Sequence, residues 1–107
     1  MENKLTVELI TDLQKTYGLT SMQELINSGQ AWYMEGFTGR QAMQALEDGA
    51  CMLPEVPRKD YWGNIVPART SLKPGTKGTL ENSQDFWQKV LDKIYLSEIE
   101  DGEIEEE

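Results

Sequence analysis

Apolar residues in the first half of the chain recur every three or four positions, in three stretches that glycines separate. This spacing places the apolar side chains on one face of a helix, so it predicts helices over residues 6–17, 20–34 and 38–48. Each stretch begins at a threonine, which can accept a hydrogen bond from the first helical turn. Because Gly29 weakens the second stretch, we expect one helix that is bent there, with two short helices as the alternative.

A fourth amphipathic stretch begins near Asn82 or Ser83. Its apolar pairs recur every four residues between positions 86 and 95, which is the clearest helical pattern of the chain. A length of 107 residues suits one domain. The pattern therefore predicts an all-α fold of about four helices, in a single domain over residues 1–96.

Between the third and fourth helices, residues 50–81 show no helical periodicity and contain all four prolines of the chain. Gly63-Asn64 stands between two apolar pairs, residues 61–62 and 65–66, which predicts a tight β-hairpin of two very short strands. Loops of this length are usually functional or disordered. The apolar residues 51–53 and the aromatic residues of the loop favour an ordered loop with a function.

The acidic excess of the chain is concentrated at its C-terminus. The net charge is −9, and residues 97–107 hold seven acids and no base. The remainder is nearly neutral, although residues 56–80 hold five bases and only one acid. The sequence therefore describes a near-neutral body with a basic middle loop and an acidic tail.

Bases alternate with aromatic residues in the loop, and such residues can bind nucleotides because cations meet phosphate while rings stack on bases. The candidate binding residues of the loop are Arg58, Lys59, Tyr61, Trp62, Asn64, Arg69, Lys73 and Lys77. Gly75 and Gly78 are three positions apart, which does not match a P-loop. The structural alternative is that Tyr61 and Trp62 fill the core while the lysines are only solvated.

Trp32 and Tyr33 are adjacent in the second predicted helix, so their rings cannot both face the same side. At least one ring is then partly exposed, and exposed tryptophan and tyrosine are favoured anchors of protein interfaces. We therefore predict an aromatic binding surface at Trp32 and Tyr33. The alternative is that both rings pack within the domain, on different contacts.

The chain lacks histidine and has one cysteine, Cys51. Histidine-based catalytic triads and Cys/His zinc sites are thereby excluded for this chain alone. Because Cys51 has no histidine to activate it and lies among apolar neighbours, we expect a small core residue. We predict a non-enzymatic protein with no catalytic residue, no metal and no cofactor.

The acidic tail, residues 97–107, has three interpretations. A run of like charges is usually a disordered, solubilising end, which is our expectation here. The tail could instead mimic nucleic-acid phosphate and occupy a basic groove of a partner. It could also fold back on the basic loop and screen its charge.

No apolar run reaches the roughly 18 residues of a membrane helix. The N-terminus lacks the basic start and apolar stretch of a signal peptide. We therefore expect a cytoplasmic protein with no membrane partner. Small domains gain core by pairing, so the sequence is also compatible with a homodimer.

Three segments of the loop are GACMLP (49–54), DYWGNIVPAR (60–69) and KPGTKGT (73–79), and they resemble uncharacterised small accessory proteins of tailed bacteriophages. The resemblance supplies no catalytic residue. It implies an accessory role in infection, in the cytoplasm of the host bacterium, as an inhibitor or modulator of a host protein that could be a defence component. The runner-up is a protein that binds a nucleotide or another phosphate ligand through the basic loop.

Overall fold

A computed structural model describes the backbone of residues 4–34 and 36–106 and the side chains of residues 4–34 and 36–96. Four α-helices dominate the fold, as the apolar pattern predicts. The helices are α1 (Val7–Thr16), α2 (Thr20–Ser28), α3 (Gly36–Asp48) and α4 (Leu80–Glu106). A 3-10 helix (Gln30–Tyr33) separates α2 from α3, and two strands, β1 (Arg58–Lys59) and β2 (Ile65–Val66), lie between α3 and α4.

Local capping explains where α1 begins and where α2 ends. The hydroxyl of Thr6 accepts a hydrogen bond from the backbone N–H of Leu9 at 3.2 Å and so caps α1. Gly29 has a φ of +86° and ends α2 in the left-handed conformation that glycine adopts without a steric penalty. The single bent helix expected over residues 20–34 is therefore wrong, and the two-helix alternative is closer to the structure.

The hairpin of the loop exists, but its first strand differs from the prediction. β1 pairs with β2 in antiparallel register, with Lys59 opposite Ile65. Asp60 N–H donates to the carbonyl of Asn64 at 2.9 Å and closes a turn of five residues, 60–64. Residues 61–62 therefore lie in this turn and not in a strand.

A stretch outside the helices and strands, residues 50–54, runs between the helices, and we call it the central segment. All five of its residues are buried. Ala50 and Met52 pack into one core, whereas Cys51 and Leu53 pack into a second core. The first core also contains Ile10 and Trp87, and the second contains Ile26, Ala31, Ala42 and Leu46. Successive side chains of the segment thus alternate between the two cores, so one short segment serves both.

The central segment has no neighbouring strand among the described residues, so its buried backbone groups need other partners. Gln23 of α2 provides two of them: its Oε1 accepts from Met52 N–H and its Nε2 donates to the Met52 carbonyl, both at 2.8 Å. Gln14 of α1 donates through Nε2 to the Ala50 carbonyl at 2.9 Å and to Gln23 Oε1 at 2.8 Å. The two buried glutamines thus replace a neighbouring strand.

α4 begins as a packed helix and ends as an acidic one. Its first half contacts α1 and α3, and Trp87 is buried there. Its backbone continues as helix through Glu106, over residues for which the acidic composition predicts disorder. Glutamate is a good helix former and no proline interrupts the run. The side chains of residues 97–107 lie outside the described residues.

Candidate functional site

Asp60 holds the turn of the hairpin. Its Oδ1 accepts from the backbone N–H groups of Trp62 and Asn64 at 2.9 and 2.8 Å, and its Oδ2 accepts from Asn64 Nδ2 at 3.2 Å. Desolvation raises the pKa of the Asp60 carboxyl, but hydrogen bonds from Asn64, Trp62 and Gly63 outweigh it and hold the pKa below its ordinary value. Asp60 is therefore ionised at neutral pH. Asn64, one of the predicted binding residues, takes part in fixing the turn.

The closed turn leaves the rings of Tyr61 and Trp62 outside the body of the protein. Tyr33 of the 3-10 helix meets Tyr61 edge to face with ring centroids 6.3 Å apart, and Tyr61 meets Trp62 at 5.3 Å. We call these three rings the aromatic cluster. They are 57%, 68% and 79% exposed, so the structural alternative in which Tyr61 and Trp62 fill the core is wrong. The cluster unites residues of the loop with one of the predicted aromatic pair at residues 32–33.

Two adjoining hollows lie beside the aromatic cluster, between α3 and the hairpin. The first has a volume of about 330 Å³ and is mainly apolar, with Trp32, Met43, Leu46, Leu53, Ile65 and Leu72 in its wall. The second has about 560 Å³, and its wall includes Met34, Arg40, Glu47 and Trp62. Trp32, Met43 and Asp60 line both hollows, so the two share a wall.

Trp32 occupies the boundary between the second core and these hollows. The ring is half-buried and packs against the core of α2 and α3. Its Nε1–H is buried and has no hydrogen-bond acceptor among the described residues. An unpaired buried donor costs about 1–3 kcal/mol. Trp32 is thus placed less favourably than an ordinary core tryptophan, next to an exposed apolar surface.

Three exposed apolar residues of the hollows, and Phe37 next to Gly36 in the chain, were not predicted as part of a binding surface. They are Met34, Phe37, Met43 and Ile65. Met43 adjoins buried Ala42 on α3, so helical periodicity alone places it near the core. The sequence does contain one signal for this surface, which is the high local frequency of large apolar residues. Two aromatic residues and a methionine precede Phe37 within residues 32–37. A surface this rich in large apolar side chains is typical of an interface.

The two arginines of the loop attach it to the end of α2. Arg58 Nε donates to the Asn27 carbonyl at 2.8 Å. Arg69 Nε donates to the Leu53 carbonyl at 2.7 Å, and its Nη2 donates to Asn27 Oδ1 at 3.3 Å. Desolvation lowers the pKa of Arg69, while the carboxylate of Glu55 acts in the opposite direction. Both guanidinium groups therefore have structural partners.

The three lysines of the loop all lie at the surface. Lys77 Nζ pairs with Glu47 Oε2 at 3.4 Å on the surface. Lys59 and Lys73 are exposed, and neither has a hydrogen-bond partner among the described side chains. In the turn over residues 73–79, the N–H groups of Gly75, Thr76 and Thr79 all donate within the turn. Those three N–H groups are not available to a phosphate.

Cys51 is buried, and desolvation raises the pKa of its thiol to about 11, which disfavours the thiolate. Within the described ranges, no group of three or more histidine, cysteine or acidic side chains is placed to hold a metal ion. None of the helices in this part of the chain has the length and apolarity needed to span a membrane.

No protein-family model, curated protein or solved structure matches the chain. The function is therefore inferred from the aromatic cluster and the two hollows beside it.

Proposed function

We propose that the protein is a non-enzymatic binding protein that engages a partner protein through the aromatic cluster and the two hollows. The observation that carries this proposal is the exposure of three mutually packed rings, Tyr33, Tyr61 and Trp62. Large rigid rings bury much area on binding and lose little conformational entropy, which is why tyrosine and tryptophan dominate interface hot spots.

Hydrogen bonds beneath the rings hold the turn in place, which strengthens the proposal. Asp60 closes the turn that carries Tyr61 and Trp62, and Arg58 ties the adjoining strand to the end of α2. A surface that is ordered before binding loses less entropy when the partner arrives. Ring packing within the aromatic cluster has the same effect, because each ring limits the rotation of its neighbour.

The likeness of the loop to accessory proteins of tailed bacteriophages supports the biological setting. On that basis the partner is a host protein in the bacterial cytoplasm, and binding inhibits or modulates it. The aromatic cluster and the first hollow both involve residues of the segments that carry this likeness, namely residues 60–69 and 49–54.

Binding of a nucleotide or other phosphate ligand has less support. Arg58 and Arg69 already donate to protein oxygens at the end of α2, and Lys77 is paired with Glu47 of α3, so three of the five loop bases have protein partners. The third candidate, nucleic-acid mimicry, depends on side chains of residues 97–107, which lie outside the described residues. Deleting those residues should leave partner binding intact if the aromatic cluster carries it.

Affinity capture from bacterial lysate tests the proposal, with Trp62→Ala as the disrupting variant. Tyr95→Ala is the matched control, because Tyr95 is 64% exposed on α4 and lies outside the aromatic cluster. Losing a hot-spot ring costs about 2 kcal/mol or more, which is roughly thirtyfold in affinity. We expect wild type and Tyr95→Ala to recover the same partner and Trp62→Ala to lose it.

Thermal melts of all three proteins test whether unfolding causes the loss of the partner. We expect equal melting temperatures, because both substituted rings are exposed and neither change disturbs the cores. Equal recovery of the partner by Trp62→Ala and wild type would contradict the proposal, as would recovery of no specific partner. Light scattering of the same samples shows whether the rings instead pair two copies of this chain.

A further inference from the structure

A separate hollow lies between the end of α1 and the side of α4, and we call it the α4 groove. Its volume is about 510 Å³, and its apolar lining consists of Tyr17, Phe86, Val90 and Ile94. Phe86 and Val90 are half-buried and pack against the core that contains Trp87. Tyr17 and Ile94 are 49% and 41% exposed. The groove therefore rests on a core and presents apolar surface to solvent.

The charged side chains of the α4 groove have one sign. Among the described residues, those that line it are Lys89 and Lys93. Neither lysine is within ion-pair distance of a described acidic side chain. Asp85 and Asp92 are the nearest acids along α4, but the helical repeat places them on another face and they do not line the groove. An occupant that is both apolar and acidic matches this lining.

The second half of α4 has such residues on the same face. The backbone of α4 continues as helix through Glu106. Since each residue turns the helix by about 100°, positions 97, 100, 101 and 104 continue the side formed by positions 86, 90, 93 and 94. These later positions hold Ser97, Glu100, Asp101 and Ile104. One face of α4 thus carries two bases in its first half and two acids in its second.

The acidic half of α4 cannot occupy the groove of its own chain, because both belong to one continuous helix. The acidic half of a second copy can occupy it when the two α4 helices lie side by side and antiparallel. Each groove then faces the acidic half of the other helix. This arrangement has two-fold symmetry, so every contact forms twice and each copy supplies both the groove and an occupant.

We propose that two copies of the chain associate through antiparallel α4 helices, with the acidic half of each helix in the α4 groove of the other copy. Ile104 contacts the apolar lining. Glu100 and Asp101 pair with the two lysines of the groove. The aromatic cluster takes no part in these contacts, so this inference goes beyond the proposed function and does not depend on it.

Repulsion between two acidic chains does not prevent this pairing. The net charge is −9, but seven of the acids lie in residues 97–107 and the remainder of the chain is nearly neutral. The antiparallel arrangement holds the centres of the two acidic tails roughly 20 Å apart along the helices. At 0.15 M salt the Debye length is about 8 Å. Contacts at ion-pair distance therefore persist while the repulsion between the tails is mostly screened.

Sedimentation equilibrium of the full chain at about 0.15 M salt measures the association. The monomer has a mass of 12.2 kDa. A contact limited to two helices is small for a protein interface, so we expect a reversible dimer with a Kd in the micromolar range. A chain that stays monomeric up to about 500 μM would overturn the inference.

Two charge reversals test which residues pair. The groove variant is Lys89→Glu/Lys93→Glu, and the tail variant is Glu100→Lys/Asp101→Lys. Each alone should weaken the dimer at least about tenfold, because like charges then face each other. An equimolar mixture should form a heterodimer within about threefold of the wild-type affinity, since each groove again meets a tail of opposite charge. Absence of that heterodimer, or a wild-type Kd of either variant alone, would contradict the pairing.

The matched control is Asp85→Lys/Asp92→Lys, which reverses two exposed charges on another face of α4. It should keep the Kd within about threefold of wild type, and a loss as large as that of the groove variant would refute the assignment to this face. Circular dichroism checks that each variant keeps its helices. Trp62→Ala should dimerise as wild type does, whereas a monomeric Trp62→Ala would assign self-association to the aromatic cluster instead. Capture of a partner protein through Trp62 is a separate readout, so failure of this inference and failure of the proposed function are distinguishable.

Discussion

Replacing Gln23 by methionine should destabilise the protein strongly, because the side-chain amide of Gln23 is the only described partner of both backbone groups of Met52. Methionine is close to glutamine in length and in helix propensity, so the change deletes hydrogen bonds and preserves volume. Gln14 would keep its bond to the Ala50 carbonyl, and Asn27 would keep its bond from Arg69. The change also removes the bonds of Gln23 to Gln14 Nε2 and to Asn27 Oδ1, but each of those two groups keeps one described partner. The groups left with no described partner are therefore the N–H and carbonyl of Met52.

The magnitude follows from the two groups left unpaired. A buried donor or acceptor without a partner costs about 1–3 kcal/mol, so the N–H and carbonyl of Met52 together cost about 2–6 kcal/mol. Burial of the methionine side chain offsets a small part of this. Domains of this size are stable by about 5–15 kcal/mol. We therefore expect Gln23→Met to lose about 3 kcal/mol, a large fraction of the total.

Urea denaturation followed by circular dichroism measures the free energy of unfolding. Gln88→Met is the matched control, since Gln88 lies on the surface of α4 and bonds only to Asp92 at 3.0 Å. It should change the free energy of unfolding by no more than about 0.5 kcal/mol. A loss below about 1 kcal/mol in Gln23→Met would refute the view that Gln23 replaces a neighbouring strand.

Two other positions give sharp expectations. Gly49→Ala places a Cβ 2.8 Å from both the Asn82 carbonyl oxygen and Phe86 Cβ, whereas a Cβ at Gly18, which also has a positive φ, meets nothing within 4 Å. Gly18→Ala should destabilise the protein only by the strain of the left-handed conformation, about 1–2 kcal/mol. Gly49→Ala should lower the melting temperature further because of the steric overlap. Equal melting temperatures of the two variants would contradict that overlap. Burial raises the pKa of the Cys51 thiol from 9.0 to about 11, so at pH 8 its thiolate fraction should be about 100-fold below that of an ordinary thiol. Because the pKa of this thiol is higher in the folded state, its contribution to the free energy of unfolding is fully present below pH 9. That contribution is lost as the pH rises toward 11. Alkylation by iodoacetamide, followed by mass spectrometry, should be slow in native protein and fast in urea, and equal rates would contradict the burial.

The hairpin shows why part of the candidate site was predictable and part was not. Gly63-Asn64 correctly indicated a turn, because glycine adopts the positive φ that such a turn requires. The register depended on Asp60, whose carboxylate accepts from two N–H groups and closes a wider turn. Residue types alone do not reveal which of several polar side chains makes such bonds. As a result Tyr61 and Trp62 lie in an exposed turn and not in the strand that the sequence predicts.

The roles of the loop bases were also decided by contacts between distant segments. Charge and composition made Arg58 and Arg69 candidates for anion binding, and nothing local opposed that interpretation. The fold places both guanidinium groups against the end of α2, where Asn27 offers a carbonyl and an amide oxygen. Lys77 similarly meets Glu47 of α3.

The sequence by itself determined the four helices and the ordered loop, because caps, periodicity and glycine positions act within a few residues. Thr6 illustrates this, since its own side chain caps the start of α1. Gly29 also acts locally, through its own backbone, although the prediction placed a bend there and not the end of α2. Only the tertiary structure decided that two glutamines would serve the buried central segment and that Tyr33 would meet Tyr61, 28 positions away. Those contacts depend on how the helices pack. A polar side chain is buried wherever packing supplies its partners, and an aromatic one stays exposed wherever packing leaves its ring outside both cores.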